Sequence, residues 1–351
     1  MDLNRIFMKN ANPTKVGGQA ILEGIMMRGA KALAIAIRLP NGDIHLTVEP
    51  IKKLGKWAKI PVVRGVVSFI SSLVMGTEVL TYGAEVLEEA DKDNPAYKKD
   101  KLDIWFEKKF GEKGGMAIAL VLSVVLALIM VVGIFILLPT VIMDVFKNAG
   151  IESVVLLNLI EGVLRIVMFV IYVALITLMP DIKRTFEYHG AEHKTIHCYE
   201  NGLELTPENA QTFYTLHPRC GTSFLMFVMI ISLLVFSFLG WPNLIVRVCS
   251  RLLLIPVIAG ISYELLQFTG RHNNGFVKAC SMPGISLQLL TTKEPSLEQL
   301  EVAIAATKMV LPSHEDQSLE VEYWVGVQKP DGTLVKSEEE TNAYIARKNK
   351  K

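Results

Sequence analysis

The 351-residue sequence has almost no charge excess of either sign: 36 Lys and Arg against 35 Asp and Glu leave a net charge of +1. A general nucleic-acid binder needs a basic surface, so that class is disfavoured and no nucleic-acid partner is expected. Cysteine is scarce. Four residues (Cys198, Cys220, Cys249 and Cys280) in a chain this long do not make a disulfide framework. Charged residues are only 20% and hydrophobic residues 51%, which excludes a disordered chain. No secretory signal peptide is expected, because the first apolar stretch lies far from residue 1 and nothing resembles a cleavage site. The Gly-rich stretch 15–29 lacks both the Gly-Lys-Ser/Thr ending of a phosphate loop and the dinucleotide spacing. It reads as backbone packed closely on a helix, or as a contact closing over an active site.

What the sequence does have is long apolar runs, and a mean hydropathy of +0.36. A membrane-crossing helix needs ~20 apolar residues. Four segments qualify: 116–143, 154–179, about 220–239, and one from about 244 or 248 to 268. The third ends at the Gly240-Trp241-Pro242 break, and the second carries Glu161 and Arg165 four residues apart, read as a packed intramembrane pair. A fifth segment, 62–82, is interrupted by Arg64, Gly65, Gly76 and Glu78. It reads as an amphipathic helix on the membrane or on the bundle, with a re-entrant or spanning helix as the alternative. Its small residues Gly65, Ser68, Ser71, Ser72 and Gly76 would suit packing against a membrane-protein partner. The stretch before the first span, the loop 180–219 and the tail after 268 hold 32 of the 36 basic residues. The positive-inside rule then places both termini in the cytoplasm, where the thiols would be reduced.

The expected architecture is mainly α: a polytopic membrane helical bundle of four spans, a fifth re-entrant or interfacial helix, and a small cytoplasmic α+β cap. Its segments are a cytoplasmic α+β region at 1–60, an amphipathic helix and charged connector at 61–115, a transmembrane hairpin at 116–179, a His-rich helix and loop at 180–219, a second transmembrane hairpin at 220–268, and a tail with one helix at 269–351. Within 1–60, residues 32–39 and 44–48 alternate as strands around Asn41-Gly42, the strongest short hairpin signal. In the tail, 296–310 reads as a helix, 320–327 as a strand and Pro330-Asp331-Gly332 as a turn.

Chemistry concentrates in the loop 180–219, which holds four of the seven histidines. His189, His193 and His197 recur every four residues, so on a helix they form one slowly rotating stripe. Neighbours in that stripe share a face and can share a metal ion. The outer pair would be ~12 Å apart, so one pair plus ligands from elsewhere is the better arrangement. His189-Gly-Ala-Glu192-His193 fits the H-x-x-E-H pattern, in which two histidines hold zinc and the glutamate acts as general base. Further ligand types follow: His217 and Cys220 before the third span, and Glu264 at the end of the fourth. The metal ligands are therefore sought among His189, His193, His197, His217, Cys220 and Glu264. The expected cofactor is a divalent metal, zinc from this ligand set. Glu192 would be the base, and Arg219 would steady a developing anion. His272 is a further candidate at the same surface.

The motifs Gly17–Gly29, Pro61-Val-Val-Arg-Gly65, Tyr188-His-Gly-Ala-Glu-His-Lys194, His217-Pro-Arg-Cys-Gly-Thr-Ser223, Pro283-Gly-Ile-Ser-Leu-Gln288 and Thr291-Thr-Lys-Glu-Pro295 together resemble the YqhQ-like family of bacterial membrane proteins over roughly residues 13–310. That group is uncharacterised and described as predicted metal-dependent enzymes. The resemblance implies a bacterial plasma membrane home and supplies no reaction. The tail beyond about Pro312 extends past the shared region. Two functions are carried forward: a metal-dependent hydrolase acting at the membrane on a membrane peptide or lipid-linked molecule, and a non-enzymatic assembly or scaffold factor with a structural metal site. Transport is disfavoured by the few spans and the lack of an inverted repeat.

Overall fold

A computed structural model describes residues 14, 16–51, 60–91, 101–240, 242–272, 274–311 and 321–349. The middle of the expected charged connector, Trp241 of the expected break, and residues 312–320 lie outside the described residues. Four strands come first: β1 (Gly17–Ile21), β2 (Gly24–Arg28), β3 (Ala32–Arg38) and β4 (Ile44–Pro50). The helices α1 (Val63–Asp91), α2 (Lys101–Phe110), α3 (Glu112–Val132), α4 (Leu138–Asn148), α5 (Val154–Ile176), α6 (Pro180–Glu200), α7 (Pro207–Gln211), α8 (Thr222–Ser237), α9 (Leu244–Arg271), α10 (Gly275–Thr291) and α11 (Leu297–Val310) follow, and a π turn, Gly133–Leu137, joins α3 to α4. The chain closes with β5 (Trp324–Gln328), β6 (Leu334–Lys336) and α12 (Glu338–Asn349).

The molecule is mainly helical, with a small antiparallel sheet. Four helical stretches are long and apolar enough to cross a membrane: Val63–Asp91, Val121–Asn148, Val154–Ile176 and Leu244–Gly270. Two of the sequence expectations exchange places here. The segment expected to be marginal is a 29-residue helix, and the expected third span shortens to the 16 residues of α8. Length alone misleads for α1, however. Its second half is packed on the sheet: Val79 is buried with Met75, Tyr82, Val86 and Leu87 against Ile21, Leu33, Ile35 and Ile37.

Residues 1–90, 173–227 and 259–351 form one compact unit. Its sheet runs β1-β2-β3-β4-β5-β6, so the C-terminal strands complete a sheet begun by the N-terminal ones. Strand β3 shows how sequence sets the layers. Leu33, Ile35 and Ile37 alternate with Ala32, Ala34 and Ala36, and successive side chains take opposite faces. The branched set meets α1. The alanines admit close approach of α11, whose Ala303, Ala305 and Ala306 are likewise buried, while α6 packs on the same face over β1 and β2. The hairpin at Asn41-Gly42 pairs Arg38 with Ile44, and Gly42 takes φ 88° as such a turn requires. Helix α11 starts at Ser296 through a capping box with Gln299.

Residues 91–172 and 228–258 form the second unit. Its interior holds a polar cluster. Glu161, 1% exposed, accepts from Arg165 Nη2 at 2.5 Å, from Thr140 Oγ1 at 2.8 Å and from Arg251 Nη2 at 2.6 Å. Asn158 Oδ1 also accepts from Arg251, and Phe236 lies beneath both guanidinium groups. Arg247 pairs with Asp144 at 2.7 Å. The expected pair is thus a network with a second arginine, supplied by α9.

Candidate metal centre

Helix α6 begins at Pro180, where a ring with fixed φ fits the first turn, and runs unbroken through all three stripe histidines. From Tyr188 to Glu200 it is buried almost continuously, because it packs between the sheet and α11. At Gly190 it meets the segment after α10. A Cβ there would stand 2.0 Å from the Lys293 carbonyl oxygen, so only glycine lets residues 291–293 cross the helix. The Lys293 N–H donates to the Phe186 carbonyl, fixing that crossing.

The crossing orients His189. Its Nδ1 lies 2.7 Å from the Thr291 carbonyl, and a ring nitrogen facing a carbonyl must be the protonated one. His193 repeats the device one turn later with the Thr215 carbonyl. Both rings therefore direct an unprotonated Nε2 away from their carbonyl anchors. His189 Nε2 is 3.1 Å from Cys220 Sγ. One ligand-type atom from each of His189, His193 and Cys220 falls within 4.8 Å of the others. His193 is 1% exposed, and its Nε2 has no hydrogen-bond partner among the described residues. Leaving a buried nitrogen lone pair unmatched is costly. This donor set therefore fits a metal: two imidazoles and a thiol converge, and each imidazole is held by a backbone carbonyl, the usual outer support of a metal-binding histidine.

The remaining expected ligands go elsewhere. His197 donates from Nε2 to the Leu216 carbonyl. Burial is the main cause holding its pKa below the usual histidine range. His217 is bracketed by Gln288, which accepts from its N–H at 2.8 Å and donates to its carbonyl at 2.9 Å, and its Nδ1 accepts from the Arg219 N–H. Burial, then the neighbouring His197, His193 and Arg219, keep it well below the ordinary value. Glu264 is placed apart from them. It accepts two hydrogen bonds from Arg64 and one from the Val62 N–H, so its carboxylate neutralises Arg64 and is not among the converging ligands. The Arg219 guanidinium donates to both Glu200 oxygens and to the Thr14 carbonyl. His272, exposed just after α9, stacks on Phe268.

Glu192 lies beside the cluster. Its Oε1 accepts from the Gly18 N–H at 2.7 Å. Burial raises its pKa, opposed by His189 and by that N–H. His189, Glu192 and Cys220 line one cavity of about 810 Å³, together with Gly17, Gly18, Gln19 and Ala20 of β1 and Ser68, Ser71 and Ser72 of α1. On the small-residue face of α1, Gly65 meets Gly260, Gly76 meets the Gln19 side chain, and the serines face this cavity. The Gly-rich stretch, read from sequence as backbone packed on a helix or as a contact closing over an active site, forms β1 and β2, and residues of both strands line this cavity. What the sequence did not show is that it does so as two paired strands.

A protein-family model described as "Protein of unknown function (DUF1385)" matches residues 60–313, a range that includes His189, Glu192, His193 and Cys220. The chain is 36% identical over 313 residues to "Uncharacterized protein YqhQ" of Bacillus subtilis (strain 168), covering 86% of this chain and 94% of that protein. The chain therefore belongs to this DUF1385 family. No solved structure matches it.

Proposed function

We propose that this is a multi-pass protein of the bacterial plasma membrane, with both termini in the cytoplasm, that works as a metal-dependent hydrolase on a membrane-associated substrate. His189, His193 and Cys220 would hold a divalent metal, zinc by donor type. The observation that carries the reading is the buried Nε2 of His193, which has no hydrogen-bond partner among the described residues, on a ring grouped with the donors of His189 and Cys220. When bound, the metal supplies Lewis acidity toward an oxygen of substrate or water. The chain's own contribution is Glu192. The Gly18 N–H fixes one carboxylate oxygen, and burial favours the form that keeps a proton once taken.

The membrane topology rests on three supports: the apolar helices, the bias of basic residues, and the path of the chain. The chain leaves its sheet-bearing unit after residue 90 and returns at 173, then leaves after 227 and returns at 259. Two excursions that each return suit two helical hairpins, with α1 lying at the boundary because half of it covers the sheet.

The second reading is an assembly factor with a structural metal. It is favoured by one observation: the three donors and their two carbonyl anchors come from three separate chain segments, which a metal would pin together. Elemental analysis of purified wild type beside His189→Ala/His193→Ala tests the site itself, and equal metal content would remove it. Glu192→Gln then separates the two readings. On the hydrolase reading it keeps metal and loses function in a deletion strain; on the structural reading it keeps both.

A further inference from the structure

The cavity beside the metal donors has an unusual wall, the outermost strand of the sheet. Among the described residues, strand β1 is an edge, paired only with β2. Along an antiparallel strand, successive residues turn their N–H and C=O groups to alternate sides. The Gly18 N–H is directed to Glu192, so it turns away from β2. Gly18 and Ala20 therefore present their backbone groups on the open side, and Gly17, Gln19 and Ile21 present theirs to β2. Residues 17–20 line the cavity, and around Gly17 a Cβ would meet no atom within 4 Å.

The opposite wall is polar in a complementary way. Ser68, Ser71 and Ser72 stand three and four residues apart, on one face of α1, and all three line the cavity. The other side of the same helix is apolar and exposed at Ile70, Leu73 and Val74. The cleft is thus bounded by a bare strand edge on one side and a row of hydroxyls on the other, with His189, Glu192 and Cys220 between them.

We infer that this cleft takes an extended stretch of polypeptide, added to the free edge of β1. An extended backbone carries donors and acceptors on both of its edges and needs partners for each. Here one edge meets Ala20 and the Gly18 carbonyl, and the other meets the serine hydroxyls. An acyl chain in the same place would leave those groups unmatched, at a cost that disfavours it. Strand addition also sets the register, because backbone bonds carry the affinity and alternate side chains are read by pockets. The substrate of the proposed hydrolase is then an amide of an unwound or juxtamembrane segment. Its hydrolysis breaks the C–N bond, adds water oxygen to the carbonyl carbon and leaves the proton on the departing nitrogen. This chemistry rests on the hydrolase reading; the binding does not.

The test uses the full chain in nanodiscs without added metal, and a fluorescein-labelled capped peptide of about eight alternating Val and Thr residues, long enough to overrun β1. Two further peptides carry backbone N-methyl groups on alternate residues, one in each register. Anisotropy titration is expected to show that methylation in one register weakens binding roughly tenfold and in the other leaves it nearly intact. Ala20→Pro removes the outward N–H without touching the bonds to β2, and the same roughly tenfold loss is expected. Ser68→Ala/Ser71→Ala, on a partly exposed helix face, provides a second variant that keeps the fold and weakens binding by severalfold. Equal binding of both methylated peptides, unchanged affinity in both variants, no binding of the parent peptide, or its displacement by short-chain phosphatidylglycerol each overturns the inference. Loss of metal in His189→Ala/His193→Ala with peptide affinity retained separates this result from the fate of the hydrolase reading.

Discussion

His189 Nε2 lies 3.1 Å from the sulfur of Cys220, thirty-one residues away in sequence, while its Nδ1 is fixed on the carbonyl of Thr291. The same ring thus joins α6, the approach to α8 and the exit of α10. Cys220→Ser is expected to lower metal content of the purified protein and to loosen His189, detected as faster hydrogen exchange over residues 186–193 with the secondary structure retained.

Glu192→Gln separates proton transfer from folding. The amide keeps the acceptor for the Gly18 N–H, so the thermal midpoint should change little. Turnover of a membrane-anchored test substrate should fall by ~10²–10⁴, the usual contribution of a positioned base. A variant that turns over as fast as wild type removes Glu192 from the chemistry.

Gly190→Ala probes the crossing that orients His189. A methyl group 2.0 Å from the Lys293 oxygen forces residues 291–293 off the helix. Overpacking of this kind costs ~1–3 kcal/mol. Denaturation should register that loss, and metal affinity should drop with it, because the Thr291 anchor moves. Retention of both would show that the segment after α10 yields freely.

Glu161→Ala leaves Arg165 and Arg251 buried together without their shared carboxylate. Removing one partner of a buried charge pair costs about 3–5 kcal/mol. Unfolding in detergent should show it as a lower midpoint for the second unit. Substituting Glu161, Arg165 and Arg251 together by apolar residues of similar size should recover much of the loss.

His45 gives the sheet unit an acid limit. It is buried on β4 and bonded to Tyr82, and burial holds its pKa down at about 4 from 6.5. The unfolded chain therefore binds this proton first as pH falls. The stabilisation is complete above 6.5, is lost between 6.5 and about 4, and levels off below, by up to ~3 kcal/mol. Glu340, 4.0 Å away and exposed, opposes the loss weakly. Replacing His45 with Gln should flatten the stability profile across that window. An unchanged slope would assign the acid sensitivity to other groups.

The parts of this protein legible from sequence are those fixed by neighbours along the chain. Asn41-Gly42 announces the β3–β4 hairpin, Ser296 with Gln299 announces the start of α11, and the four-residue spacing of the histidines places them along one side of α6. What sequence left open depends on distant partners. Nothing local to Glu264 reveals that Arg64, two hundred residues earlier, holds it. Nothing near Glu161 indicates Arg251. Cys220 and His217 sit three residues apart and match a zinc-ligand spacing equally, but the fold brings the thiol to His189 and His193, while the His217 ring accepts from the Arg219 N–H. Strand β1 was not legible as a strand because two glycines weaken its alternation; at Gly18 a Cβ would crowd the Met26 carbonyl oxygen, the Met27 sulfur and Glu192, all brought there by the fold.

Strand β4 finds its second neighbour in β5, some 270 residues later. A ribosome adding ~5–20 residues per second needs roughly fifteen seconds to a minute to cover that distance. Throughout that interval, Ile44–Pro50 offers a hydrophobic strand with one side unsatisfied, the situation in which chains stick to one another. The sheet is therefore the last part of the molecule to be sealed. A chain cut short before residue 324 should differ from the complete one less in its helices than in its tendency to clump.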